Sequence, residues 1–170
     1  MKYSRPTINI EVYEIFKEDK EMMWNLFKKH HYLTENLNKA ARCFIAKWNN
    51  KIVGFESTLA LPNGHLKNAW REHRLVILSD FQGLGIGNIL SETLGEVLKL
   101  GNKRFFSKTA NKKLGEYRNN SCLWRKTSQN GKNRSSALSQ IKTGKDTKHL
   151  LNEKLLHRNC YSHEYIGRKT

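Results

Sequence analysis

Gln82-Gly83-Leu84-Gly85-Ile86-Gly87 follows the apolar run Leu75-Val76-Ile77-Leu78 and leads into the helix-like stretch from Asn88 to Leu100. A strand, a glycine-rich turn and a helix N-terminus in that order make a cradle for an anion. Glycine lets backbone approach a phosphate closely, and the unpaired N–H groups at the positive end of the helix dipole favour negative charge. Three phosphate-binding patterns compete for the hexapeptide, and spacing separates them. A P-loop ends in Gly-Lys-Ser or Gly-Lys-Thr, whereas Gly87 is followed by Asn88 and Ile89. A dinucleotide fingerprint needs a small residue three positions after its second glycine, and an acidic residue roughly 20 positions on. Counted from Gly83 that small position is Asn88, counted from Gly85 it is Leu90, and the region of Lys103 and Arg104 is basic. What stays is Gln-x-x-Gly-x-Gly at Gln82, Gly85 and Gly87. The plain reading of the same residues is an ordinary turn between a strand and a helix.

The chain of 170 residues is expected to form one domain, long enough to bury roughly 70% of its unfolded surface. Ile8 to Ile15 alternates apolar and polar side chains, as a strand with one buried face does. Asp19 can cap a helix whose stripe is Met23, Leu26, Phe27 and His30. Cys43–Trp48 and Ile52–Ala60 read as strands joined by an Asn49-Asn50 hairpin turn. Pro62-Asn63-Gly64 closes the second of these, and Trp70 to Leu78 forms the strand that enters the glycine loop. Ile86, Leu90, Leu94, Val97 and Leu98 give the next helix one broad apolar face, with Gly101 as its C′ residue. A short strand at 103–108, a short helix at Asn111–Arg118, and strands at Cys122–Arg125 and Tyr161–Ile166 complete the pattern. Between them, about 129–154 is a basic polar loop or arm.

This β-α-β-β-β-(Gly loop)-α-β-α-β-β order, together with Gln82, Gly85 and Gly87, resembles the GNAT acyltransferases over most of the chain. The resemblance implies an α/β (α+β) fold with a mixed central sheet of about six to seven strands, helices on both faces and a splayed wedge for coenzyme A. It also implies acetyl-CoA, or another acyl-CoA, as co-substrate. In that family the pantetheine arm pairs with backbone at the positions of Ile77 and Leu78. The pyrophosphate sits on the loop, here Gln82, Gly83, Leu84, Gly85, Ile86, Gly87 and Asn88, and the resemblance adds Asn111 to the residues expected to bind coenzyme A.

Acyl transfer to an amine needs a base for the ammonium proton, amides that polarise the carbonyl and an acid for the leaving thiolate. Trp70-Arg71-Glu72-His73-Arg74 is dense in titratable groups, and relatives often keep a base on this strand, so Glu72 or His73 is the candidate. Regular alternation places Glu72 and Arg74 on one face and Arg71 and His73 on the other. The plain alternative is a solvated ion-pair ladder. Many relatives carry a tyrosine seven residues after an asparagine that starts the later helix; Asn111 fits the asparagine, but Arg118 takes the tyrosine position and Tyr117 lies one residue early. His31 and Tyr32 are candidates for the acceptor pocket, whereas His30 reads as a helix-face core residue. No carboxylate or cysteine lies at ligand spacing from these histidines, so no metal is expected.

The net charge of +16 is uneven: residues 101–170 hold 17 Lys and Arg against 4 Asp and Glu. Such a patch is the footprint of a polyanion, so a nucleic acid, DNA or tRNA, is the expected partner. The His31-Tyr32, Trp70–Arg74 and Ser162–Gly167 segments resemble the divergent phage Mom-type branch that modifies the exocyclic amine of adenine in DNA. For a base leaving its stack, Tyr32, Trp70 and Trp124 are the available aromatics. Three functions stay open: an acyltransferase acting on nucleic acid, one acting on a protein or small amine, and a non-catalytic nucleic-acid-binding module. The three isolated cysteines suit a reducing cytoplasm, and neither a leader nor a membrane span is expected. Oligomeric state is not legible.

Overall fold

The computed structural model describes residues 8–30, 36–62, 64–133 and 159–168. The chain divides into two compact units, residues 1–105 and 106–170. In the first, β1 (Glu11–Ile15) is followed by a 3-10 turn at Lys17–Asp19, α1 (Lys20–Phe27), β2 (Arg42–Trp48), β3 (Lys51–Ala60), β4 (Ala69–Ile77) and α2 (Ile86–Leu100). β1 to β4 pair in that order, each antiparallel to the next. The β2–β3 turn works because Asn49 and Asn50 take left-handed φ values of 49° and 61°, which asparagine tolerates and which match the twist of a two-residue hairpin.

Alternation along the strands sends side chains to two faces, and a helix covers each. On one side Cys43, Ile45, Phe55 and Val76 pack with Trp24 and Phe27 of α1. On the other, Phe44, Ala46 and Val53 pack with Ile86, Leu90 and Leu94 of α2. Ile86, Leu90, Leu94 and Leu98 are each at most 1% exposed, so every one contributes roughly 1.5–3 kcal/mol of burial. Val97 departs from the expected face, being 46% exposed.

Two helix readings change. The buried stripe of α1 runs through Met23, Trp24 and Phe27, while Leu26 and His30 face solvent. At the end of α2 Gly101 is the C-cap with φ −80°, and Asn102, at φ 54°, is the left-handed residue. Asn102 N–H donates to Lys99 O and Lys103 N–H to Leu98 O, both at 2.9 Å, which closes a Schellman motif around asparagine.

The second unit takes in most of β5 (Arg104–Thr109), then α3 (Lys112–Asn120), β6 (Trp124–Lys126), β7 (Lys132–Asn133) and β8 (Asn159–Tyr165). β8 lies between β5 and β6 in strand order, and β7 pairs with it as well. β7 was not expected, because it lies in the stretch read as a loop; residues 134–154 of that arm are outside the described residues. α3 packs on β8 so closely that a methyl on Gly115 would overlap the Tyr161 ring. Asn111 is the N-cap of α3, its Oδ1 accepting from Leu114 N–H at 3.1 Å. With its alternation of strands and helices the chain has the mixed α/β fold read from its order of elements.

Candidate active site

β4 enters the glycine loop through a 3-10 turn at Ser79–Phe81. Gly83 and Gly85 take φ values of 82° and 88°, left-handed conformations that cost other residues about 1–2 kcal/mol. Gly85 is the N-cap of α2 and offers no side-chain cap. Its carbonyl accepts from Asn88 and Ile89, whereas none of the amides of Gly83, Leu84, Gly85, Ile86 and Gly87 donates to a carbonyl among the described residues. Gly83 and Leu84 are exposed, so these N–H groups open outward at the positive end of a 15-residue helix. That is the arrangement an anion requires. A Cβ on Gly87 would stand 3.4 Å from Ile77 Cγ1 and 3.8 Å from Leu75 Cδ2, so alanine fits there and a larger side chain meets both. Asn88 Oδ1, in the first turn, is buried without a hydrogen-bond partner among the described residues.

Gln82, the first residue of the motif, does not aim at the cradle. Its Nε2 donates to Ile77 O at 2.9 Å and ties the loop back to the end of β4. The backbone expectation for Ile77 and Leu78 divides. Leu78 N–H donates to Val53 O and Leu78 C=O accepts from Phe81 N–H, so both groups are spent within the protein. Because Leu78 and Val53 form a hydrogen-bonded pair, the neighbouring pair Ile77 and Gly54 is non-hydrogen-bonded, and the backbone groups of Ile77 turn to the opposite edge of β4. On that edge the Ile77 carbonyl already accepts from Gln82 Nε2, whereas Leu78 turns both its groups to partners within the protein.

The titratable run on β4 is rearranged by a bulge. Thr58 pairs with Glu72 and Ser57 with Arg74, leaving His73 as the extra residue. Regular alternation would put Glu72 and Arg74 together; the extra residue separates them. Glu72 faces α2, where its Oε2 accepts from Ser91 Oγ at 2.9 Å. Arg74 faces α1, with its guanidinium 5.7 Å from the Trp24 ring centre. His73 Nδ1 stands 3.4 Å from Ser57 Oγ, on the side of Arg74. Glu72 therefore shares a face with the helix that begins at the glycine loop. Ser91 is five residues into α2, roughly 7.5 Å along its axis from Ile86. Around Glu72 the α2 face is polar and dry: Glu56, Thr58 and Ser91 are all 0% exposed. Sequence reading named neither Ser91 nor Glu56. Glu56 shows as a charge inside an otherwise apolar strand, while Ser91 carries no local signal.

Other expectations scatter. Arg42 on the α2 side of β2 forms a two-pronged pair with Glu14 at 2.8 Å, which holds the Glu14 carboxyl below its usual range. Trp70, half-buried, lies beneath the cations of Arg42 at 5.6 Å and Lys103 at 4.6 Å. Trp124 cannot receive a base, being 5% exposed and packed by Arg118, His163 and Tyr165. Arg118, at the position where relatives carry tyrosine, is a core cation, 1% exposed and donating to Ser107 Oγ. His163 of the closing segment is fully buried against Asn119 Oδ1 at 2.9 Å. Tyr117 lies on α3 in the second unit, 40% exposed. His31 and Tyr32 lie outside the described residues. Among the described residues no three His, Cys, Asp or Glu side chains cluster as metal ligands, and no helix is long and apolar enough to cross a membrane.

Residues 9–113, which span β1 to the start of α3 and include the loop, match the acetyltransferase (GNAT) family. The chain belongs to the GNAT acetyltransferase family. Acyl-CoA is accordingly its co-substrate, and the unpartnered amides and left-handed glycines of the loop fit the pyrophosphate of that group. Among solved structures, this GNAT protein is similar to the ribosomal-protein-S18-alanine N-acetyltransferase from Escherichia coli, with a TM-score of 0.59 and 12% identity over 95% of this chain and 97% of the other. The IAA acetyltransferase from Bacillus cereus matches with a TM-score of 0.54 and 18% identity, over 71% of this chain and 79% of the other. PaiA N-acetyltransferase from Thermoplasma acidophilum, solved with coenzyme A, has a TM-score of 0.52 and 13% identity, over 71% and 92%. At these identities the likeness is one of fold. No match to the sequence was found among curated proteins.

Proposed function

We propose that this acetyltransferase transfers an acyl group to an amine carried by a nucleic acid, a DNA base before tRNA, with Glu72 as the base that frees the amine. The observation that carries the reading is the pairing of two features on one face of a sheet: the outward amides of Gly83 to Gly87 and the Glu72 carboxylate fixed by Ser91. Those amides would hold the pyrophosphate of acyl-CoA, and the outward backbone of Ile77 would meet its pantetheine arm. When bound, acyl-CoA supplies the activated thioester carbonyl. Glu72 takes the proton that the base's exocyclic amine, neutral at pH 7, loses as its nitrogen bonds to the thioester carbonyl carbon and the carbon–sulfur bond breaks. His73, turned to the α1 side, has no part in this step. Tyr117 is the residue to test, as Tyr117→Phe, for returning a proton to the departing thiolate.

Charge supports the acceptor class. Seventeen Lys and Arg against 4 Asp and Glu in residues 101–170 attract phosphate and repel a cationic polyamine. The half-buried Trp70 between Arg42 and Lys103 adds a cation and aromatic cluster of the kind that tracks nucleic acid strands. The test is incubation with acetyl-CoA and plasmid DNA or tRNA, followed by nucleoside mass spectrometry, with a peptide bearing a free N-terminal alanine as a parallel acceptor. An acetylated nucleoside is expected. Unmodified nucleosides beside an acetylated peptide would replace the nucleic acid with a protein amine.

A further inference from the structure

The α1 side of the first unit carries a cavity of about 540 Å³, between α1 and residues 36–39. Its size is that of a pocket for a nucleotide-sized ligand. Lys17, Lys20 and Lys28 follow one stripe along the 3-10 turn, α1 and the residue after it, and Lys39 stands opposite. Glu21 is the one carboxylate among the described lining residues, so four cations face one anion across a concave space. Gathering ammonium groups around a hollow is self-repulsive, and a multiply charged anion reverses that cost.

The site has a fixed floor. Trp24, 3% exposed, closes its base, and Lys20 Nζ is anchored by donating to Ala41 O at 2.6 Å. Arg74 Nη2 donates to Asn36 O at 3.2 Å, which ties the far wall to β4. The amide side chains of Asn25 and Asn36 add neutral polar groups to the lining.

We propose that this cavity is a binding site for a phosphate-bearing ligand, held by Lys17, Lys28 and Lys39. Phosphate is favoured over carboxylate because it carries more negative charge per group, which suits a lining of lysine ammonium groups that act as point charges. The cavity lies on the α1 side of the sheet, and His30 Nδ1, just after α1, stands 3.4 Å from Ser79 Oγ in the turn that leads to the glycine loop, so the proposal rests on the acyl-transfer reading and adds a phosphate site beside it.

The test is a titration of the full-length isotope-labelled protein, followed by amide NMR. Coenzyme A is added first to saturation, and that step alone reports the loop. Inorganic pyrophosphate is then added. Shifts at residues 17–28 and 36–39 are expected, and Lys28→Gln with Lys39→Gln should weaken them at least about tenfold, the loss of two charge-assisted bonds, with unchanged coenzyme A binding and Tm. An octathymidylate that binds tighter than pyrophosphate assigns the phosphate to a nucleic acid strand; one that binds no tighter assigns it to a small molecule. Shifts confined to 83–88, equal affinity in the double variant, or tighter binding of citrate than of pyrophosphate would overturn the proposal.

Discussion

Beneath α2 the four-stranded sheet presents Glu56, Thr58 and Glu72, whereas beneath α1 the same strands present Ser57, His73 and Arg74. On β3 ordinary alternation separates the two sets, and on β4 the extra residue His73 moves Arg74 to the face opposite Glu72. On the α2 side the carboxylate of Glu72 is fixed by a helix that starts at an anion cradle. On the α1 side the guanidinium of Arg74 braces a tryptophan and the wall of a cationic cavity. A bulge thus divides one titratable run between two environments, the carboxylate proposed for proton transfer on one face and the positive charge proposed to hold an anion on the other.

The sharpest way to break this division is to neutralise each side in turn. Glu72→Gln is expected to lower kcat by about 100-fold or more, the usual worth of a general base, with little change in the KM for acetyl-CoA. Steady-state kinetics with both substrates varied would show it. Ser91→Ala removes the hydroxyl that holds the carboxylate; kcat should fall roughly fivefold, corresponding to one hydrogen bond of about 1 kcal/mol. His73→Gln should change kcat by no more than about twofold, as substitutions away from a reacting group do. A loss at His73 equal to that at Glu72 would erase the distinction between faces.

The smallest effect belongs to Cys43, under α1. Burial pushes its thiol up to about 11, so at pH 8 only about a thousandth is thiolate, and the fraction rises only as pH approaches 11. Iodoacetamide followed by peptide mass spectrometry should label exposed Cys122 and leave Cys43 untouched in the folded protein. Rapid labelling of Cys43 at pH 8 would mean that the α1 side is not closed.

Legibility followed the range of the forces involved. The glycine loop was readable because its requirement is local: Gly85 has open space where a Cβ would stand, and its left-handed φ of 88° is what selects glycine. Gly115 is the opposite case, an ordinary helical residue whose glycine is demanded by Tyr161, 46 positions away, and nothing near it in sequence announces that. The Asn49-Asn50 turn and the apolar face of α2 were likewise local. The bulge at His73 was not, because it depends on the register of β3 against β4. That is why regular alternation groups Glu72 with Arg74, whereas the structure sets it beside Ser91. The backbone of Leu78 follows the same rule: which groups turn outward is decided by the partner strand, and here Val53 takes its N–H. Trp124 and Arg118 look like functional side chains in a basic segment, and only tertiary packing shows that they fill a core.

Calorimetric titration of coenzyme A into Gly85→Val tests the central claim most directly. A β-branched residue cannot hold the left-handed cap without strain, and no side chain crowds the position, so the cradle should deform while the packed face of α2 stays in place. Affinity at least about tenfold weaker, equivalent to 1.4 kcal/mol, with an unchanged circular dichroism spectrum is the expected result. Unchanged affinity would show that the loop does not hold the co-substrate.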